Sequence, residues 1–487
     1  MVAFNDWAES PPEFVTRYDV SAGDWSQFFN RYTAGTMDAP LLRIINIAAA
    51  HGVQSVLVET RYIDADWRSE HAKFYSTTYT RYPSVAHRAH FFTVPLPTDL
   101  GDLSSLVAAY KGYTVLRPLP SQPVGRTMIE PPPELSDGTR CEAIEVVDVL
   151  GWKMSVRGMP FVSQDAQYLR CAHADMWMAL RHSYLRHQIG QKLPAQIHDA
   201  TTGGVVIGRE LPSEGLSPHQ MMSGLSALGL SPAVLPLPKT QAESSANGVL
   251  GLFEIICRYV NSNITPIVAS NSHVWLIVGY TRTASTGHPK LTLYRHDDAA
   301  GPYIRVDDPW NELEPQHKPW AQVILPLPPK IYMTAERAEE IGRWWFDRWL
   351  AAAPANNPAA VAKNANELTF RTYGINSSEF KFALDSRSGF DAAVARQYRL
   401  TPLPRNLWVV EAVDRKLRGA TSENVLGEVI IDPTASRYAI AREPGIIAAH
   451  APGFWWTMAP DVDAEASGVC AESPYASGRP DYSAALP

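Results

Sequence analysis

Two stretches of this chain cannot lie inside any long helix or strand, and they set its plan. PPPELSDGTR at 131–140 and AAAPANNPAAVAKNAN at 351–366 are rich in proline and small residues. Proline lacks a backbone N–H and restrains the residue before it, so regular structure breaks where it clusters. The 487 residues therefore fall into blocks at 1–140, 141–350 and 367–460, with a tail at 461–487. That length suits two or three domains of ordinary size.

The first block reads as an α/β region. It has a helical run at Leu41–Ala50, a strand at Ser55–Glu59, an aromatic-rich polar stretch from Tyr62 to Tyr82, and an apolar strand near His90–Val94. The middle block opens with the alternation CEAIEVVDVLGWKMSV, carries helical patterns at 168–190, 217–229 and 247–260, and only then turns to short β-branched and aromatic runs. HVWLIVGY and LTLYRH, joined by the turn-rich TRTASTGHPK, have hairpin character; YIRVDDPW and AQVILPL add strand candidates. The third block mixes the strands LTFRTYGI, NLWVVEAV and GEVIIDPT with a helical pattern around 377–397. Helices that precede an antiparallel set of strands, rather than alternating with parallel ones, predict an α+β fold. There is no internal repeat.

Charge narrows the function classes. With 43 Lys+Arg against 50 Asp+Glu the formal charge is −7, and no basic stripe offers a footprint for nucleic acid or an anionic membrane. No apolar run reaches the roughly 18 residues that a bilayer span needs; the longest, RIINIAAAHGVQSVLV, is broken by Asn46 and by His51-Gly52. The N-terminus MVAFNDWAESPPEF lacks a basic segment followed by an apolar core, so a cytoplasmic location is expected. Glycine-rich phosphate loops and a GxSxG elbow are absent, and the glycines of TTGG at 201–204 read as a turn. No cofactor is expected. The tail is small, polar and proline-punctuated, and its composition predicts disorder. Four cysteines, Cys141, Cys171, Cys257 and Cys470, are too few and scattered for a disulfide framework or a zinc ribbon. Cys257 in FEIICRYV reads as a small buried apolar residue, and Cys470 as a tail residue without a role.

Cys171 is different. The segment GMPFVSQDAQYLRCAHADMWMALRHSYLRHQIG places it just inside the start of a long helix, where unpaired N–H groups and the helix dipole favour the thiolate. Gln164, seven residues earlier, is placed to donate, with the cysteine's own N–H, to a developing oxyanion. His273 opens the strand HVWLIVGY and is the candidate base. The next strand ends in Asp297 and Asp298, either of which suits the orienting carboxylate, with Asp307 and Asp308 as runners-up.

The order of Gln164, helix-starting Cys171, the helix PHQMMSGLSALGL, a third helix in GVLGLFEIICRYVNSNITPIVAS and then His273 resembles the papain-like cysteine peptidases, in particular the bacterial branch that includes the leader peptidases of bacteriocin exporters. The resemblance covers about 160–310. It implies a papain-like core, a helical half plus an antiparallel sheet, with Cys171 as nucleophile, His273 as base, Asp297 as orienter and Gln164 in the oxyanion hole. The Gln-to-Cys interval is one residue longer than the family's, and Ala172-His173 replaces its small pair. No transporter sequence accompanies the core, so leader cleavage does not carry over.

The expected activity is that of a cysteine peptidase or isopeptidase acting on a protein or peptide. Alternatives are a silent papain-like scaffold that binds a protein through the Trp-rich segments GRWWFDRWL and PGFWWTM, and an amidase or acyltransferase using the same thiolate. Three other clusters read as structural. His173 lies about 200° around the helix from Cys171 and only Asp175 shares its face. His296, Asp297 and Asp298 alternate along a strand and should not converge on a metal. Asp64, Asp66, Glu70 and His71 read as a solvated helical face.

Overall fold

The structure is a computed structural model that describes residues 13–33, 37–119, 121–165, 167–202, 216–236, 252–269, 273–283, 290–307, 322–352, 368–414, 425–434, 445–459, 464–470 and 475–476. It is α+β, and every strand pairing described is antiparallel. The chain divides into two compact units: Met1–Gln241 with Thr265–Thr281 and Thr292–Pro328, and Ala242–Ile264 with Arg282–Leu291 and Pro329–Pro487.

The first unit begins with a five-stranded sheet of β1 (Val15–Asp19), β2 (Ser55–Tyr62), β3 (Ala86–Phe92), β4 (Tyr110–Leu116) and β5 (Val124–Ile129), paired in that order. Gly112 in β4 has φ +128, and a Cβ there would sit 2.2 Å from the Met128 carbonyl oxygen, so only glycine allows the β4–β5 approach. Between strands run α1 (Ser26–Thr33), α2 (Ala39–Ala50) and α3 (Ala65–Lys73). Asp38 caps α2 and Asp64 caps α3, each accepting from a backbone N–H of the first turn.

The acidic residues of α3 do not form a solvated face. Asp66 and Glu70 are buried. Glu70 accepts from Arg117 Nη1 at 3.0 Å, while Asp66 lies 3.5 Å from Arg126 Nη1 and accepts from Trp177 Nε1 at 3.2 Å. These arginine partners follow β4 or lie on β5, and only sheet pairing brings them to the helix. Burial raises the Glu70 carboxyl to about 8 and Asp66 to about 6.

Past the proline-rich break, the two-residue strand β6 (Thr139–Arg140) leads to the hairpin β7 (Ala143–Val149) and β8 (Trp152–Gly158), whose strict in-out burial follows the sequence alternation. The helices α4 (Cys171–His187), α5 (Pro194–Thr202) and α6 (Pro218–Ala227) come next. Residues Ala172–Ser183 of α4 are all buried, which marks it as a central helix. The second sheet contains β9 (Ala233–Pro236), β10 (Ile267–Ala269), β11 (Val274–Thr283), β12 (Lys290–Asp297), β13 (Gly301–Val306) and β14 (Gln322–Leu325), in the order β13-β12-β11-β10-β14-β9 with β6 pairing β11.

The second unit holds α7 (Leu252–Asn261), α8 (Ala335–Ala352), α9 (Ser377–Ala383), α10 (Ala392–Leu400) and a six-stranded meander of β15 (Leu368–Asn376), β16 (Asn406–Asp414), β17 (Val425–Ile431), β18 (Ile446–Ala451), β19 (Phe454–Ala459) and β20 (Ala464–Gly468). Buried ion pairs tie it together: Arg258–Glu339 at 2.8 Å, Arg387–Glu428 at 2.7 Å, and Arg371–Glu411. The expectation of a disordered tail is corrected for its described part. β20 pairs with β19, Cys470 is buried and donates to the Ala451 carbonyl, and Tyr475 bridges Val425. Its small residues suit this place, because a Cβ on Gly468 would lie 2.7 Å from the Trp455 ring. Low hydrophobicity misled because the order comes from a backbone ladder against an existing sheet. Trp455 is itself buried in that unit's core, so it belongs to no exposed patch; Trp344, Trp345 and Trp349 are half-buried.

Candidate active site

Cys171 is the first residue of α4, after Arg170 in an extended conformation that makes no side-chain cap. The helix's first N–H groups are thus left for an anion at the sulfur or beside it. Of the four cysteines, Cys141, Cys257 and Cys470 are buried and Cys171 is partly exposed. Burial pushes the Cys141 thiol well up and that of Cys470 to about 11.

His273 immediately precedes β11. Its Nε2 lies 3.2 Å from Asp297 Oδ2 and 4.0 Å from Asp298 Oδ1, and the ring is also hydrogen-bonded to the Cys171 side chain. The Asp297 hydrogen bond, and after it the one to Cys171, raise the His273 pKa to about 10 against the cost of burial. The imidazolium form is therefore favoured, with Nε2–H donating to Asp297.

Asp297 is fixed from several sides. Its Oδ1 accepts from the backbone N–H of Ala299 and Ala300 at 3.1 and 3.2 Å, and its Oδ2 lies 3.3 Å from Arg295 Nη2. Burial works against its charge, but His273 and Arg295 hold the carboxyl below its ordinary range. Arg295 also stacks over Trp275, 5.0 Å from the ring centroid. It escaped the sequence reading, although it lies two residues before Asp297 on one strand face, as Trp275 does after His273.

Behind this pair are two further acids. Asp298 and Asp175 are fully buried, and among the described residues neither carboxyl has a hydrogen-bond partner. Burial, reinforced by neighbouring acids, raises Asp298 to about 7 and Asp175 well above its usual value. As strand alternation leads one to expect, His296, Asp297 and Asp298 do not all converge. His296 does turn away, into edge contacts with Phe161 and Tyr303, but Asp297 and Asp298 both approach His273. Strand alternation ends at Asp297, where β12 stops and the chain turns.

Ligand atoms of His273, Asp297 and Asp298 lie within 4.8 Å of one another. Asp297 is already committed to an arginine and two turn N–H groups, and the imidazole to a thiol. The set fits the orientation of an imidazole better than a metal. Asp307 instead accepts from Thr292 and Arg305, and Asp308 lies outside the described residues. His173 stacks on His198, with centroids 5.7 Å apart, and burial lowers its pKa to about 3.

Gln164 is half-buried in the segment that leads to α4. Arg117 donates to the Ser163 carbonyl just before it, and Asp165 just after it accepts from Tyr75 Oη and from the N–H groups of residues 167–169. None of these anchors was singled out in the sequence, and no local spacing signals them.

No family model matches the sequence, and no curated protein matches it. Among solved structures, a crystal structure of UfSP from C. elegans overlaps it with a TM-score of 0.22 and 11% identity, over 40% of this chain and 36% of that one. The chain thus covers about a third of that protein, and none of the comparisons supports the exporter leader-peptidase branch. Among the described residues, no helix is long and apolar enough to cross a membrane.

Proposed function

We propose that this protein is a cysteine peptidase or isopeptidase with a papain-like core, acting on a protein or peptide. The observation that carries the proposal is His273, its Nε2 3.2 Å from Asp297 Oδ2, set against the partly exposed Cys171 at an uncapped helix N-terminus. An arrangement that serves only packing has no need to keep an imidazole charged beside a partly exposed thiol.

In this reading the His273 imidazolium stabilises the Cys171 thiolate, and the sulfur attacks the scissile carbonyl carbon. The carbonyl π pair moves onto oxygen, which takes hydrogen bonds from the Cys171 N–H and the Gln164 carboxamide. Collapse re-forms the carbonyl and breaks the C–N bond as His273 gives its proton to the leaving amine. Water then attacks the thioester, losing a proton to His273, and the thiolate departs. Asp297 keeps the ring aligned through both steps. An acyltransferase shares the first half and differs in the acceptor, whereas an amidase shares both halves and differs in the substrate.

Incubation with a peptide library, read by mass spectrometry, tests this. The expected result is cleavage that disappears in Cys171→Ala and His273→Ala, with an acyl adduct on Cys171 in the wild type. Cleavage that survives Cys171→Ala would rule the proposal out, and transfer to an added amine in place of hydrolysis would reassign the acceptor.

A further inference from the structure

We propose that Asp165, held by Tyr75 of the N-terminal block, is a positioning residue that sets Gln164 beside Cys171 and so builds the oxyanion hole. This deepens the peptidase reading and rests on it. The Asp165 N–H donates to the Leu169 carbonyl at 2.9 Å. That bond closes a loop flanked by Gln164 on one side and by Arg170, the residue before the nucleophile, on the other. Inside the loop, Asp165 Oδ1 accepts from the N–H groups of Gln167, Tyr168 and Leu169 at 2.9, 2.8 and 2.8 Å. Its other oxygen, Oδ2, accepts from Tyr75 Oη at 2.6 Å.

The other side of Gln164 is held as firmly. Arg117 Nη2 donates to the Ser163 carbonyl at 2.9 Å and to the Val124 carbonyl at 3.1 Å, while its Nη1 meets Glu70 Oε2 at 3.0 Å. Ser163 Oγ donates to the Val124 carbonyl at 2.6 Å. Ser163, Asp165, Arg117, Tyr75 and Glu70 are all buried, whereas Gln164 between them is half-buried. A half-buried residue fixed on both flanks by buried, charge-assisted contacts is the pattern expected of a preorganised donor. The N-terminal block thereby gains a role, since both anchors come from it: Tyr75 follows α3 and Arg117 follows β4.

Two probes of Cys171 separate an oxyanion defect from a general one. p-Nitrophenyl acetate acylates the sulfur through a tetrahedral oxyanion; iodoacetamide alkylates it by displacement at a saturated carbon and needs no oxyanion hole. Loss of one such donor costs about 10²–10³-fold, so Gln164→Ala is expected to slow acylation by that order, and Asp165→Ala and Tyr75→Phe by about 10-fold or more. Alkylation stays within about twofold in all three, and Asp165→Ala adds nothing to Gln164→Ala, as expected for residues that act as one unit. Parallel loss of both reactions, unchanged acylation, or additive losses would overturn the proposal. Amide exchange at residues 167–169 tests the clamp apart from chemistry: it should speed up in Tyr75→Phe, and unchanged protection would refute the clamp. A wild-type Cys171 no more reactive than a free thiol would instead refute the peptidase reading.

Discussion

Replacing Asp297 by Asn removes one charge while leaving an oxygen for the turn N–H groups of Ala299 and Ala300. In the wild type, His273 titrates near 10, against an ordinary 6.5. A hydrogen bond to a charged partner contributes about 1.5–3 kcal/mol, and one pKa unit corresponds to about 1.36 kcal/mol, so the variant's midpoint is expected about 1–2 units lower. Asp298, 4.0 Å away, preserves part of the shift, and the positive charge of Arg295, no longer facing the Asp297 carboxylate, opposes it. Imidazole carbon–proton NMR correlations followed from pH 5 to 11 give both midpoints, with the signal identified among 14 histidines by its absence in His273→Gln. Because the folded-state pKa is raised, this group's stabilisation is complete below pH 6.5 and disappears as pH rises through about 10. Asp297→Asn should therefore lower Tm more at pH 6 than above pH 10. A wild-type midpoint near 6.5, or one that Asp297→Asn leaves in place, would refute the reasoning.

Other consequences test the scaffold. Asp175 binds its proton more tightly when folded, so it costs the native state increasingly as pH rises above 3.8; Asp175→Asn should raise Tm at pH 8 more than at pH 4 in a thermal scan, and the reverse order would contradict the assignment. Arg117→Met leaves the buried Glu70 carboxyl and the Val124 and Ser163 carbonyls without their shared donor and should cost about 1–3 kcal/mol or more in urea unfolding; an unchanged midpoint would count against these contacts. Gly468→Val pushes a side chain into the Trp455 ring and should destabilise the second unit by about 1–3 kcal/mol. An unchanged midpoint would mean that β20 does not depend on that contact.

What the sequence made legible was local. The start of α4 near Cys171, the alternation of the strands β7 and β8 and the strand β11 follow from periodicity and turn residues that act within a few positions. His273 and Asp297 were legible because each flanks or ends a strand recognisable from its own residues. The buried charge network was not. Asp66 and Glu70 carry a solvated-face pattern on α3, and their partners Arg126 and Arg117 stand 60 and 47 residues away. Asp165 gave no signal either, because its partner Tyr75 stands 90 residues earlier, between β2 and β3. The described tail escaped for a different reason: composition gauges what side chains can bury, whereas β20 is held by backbone hydrogen bonds.

The central claim is that Cys171 is an activated nucleophile, and substoichiometric iodoacetamide at neutral pH tests it most directly, with the site of alkylation read by peptide mapping. The expected result is rapid modification of Cys171, slowed by His273→Ala, while Cys141, Cys257 and Cys470 stay unmodified in their buried positions. Labelling of Cys171 at the rate of a free thiol, or no faster than Cys257, would contradict it.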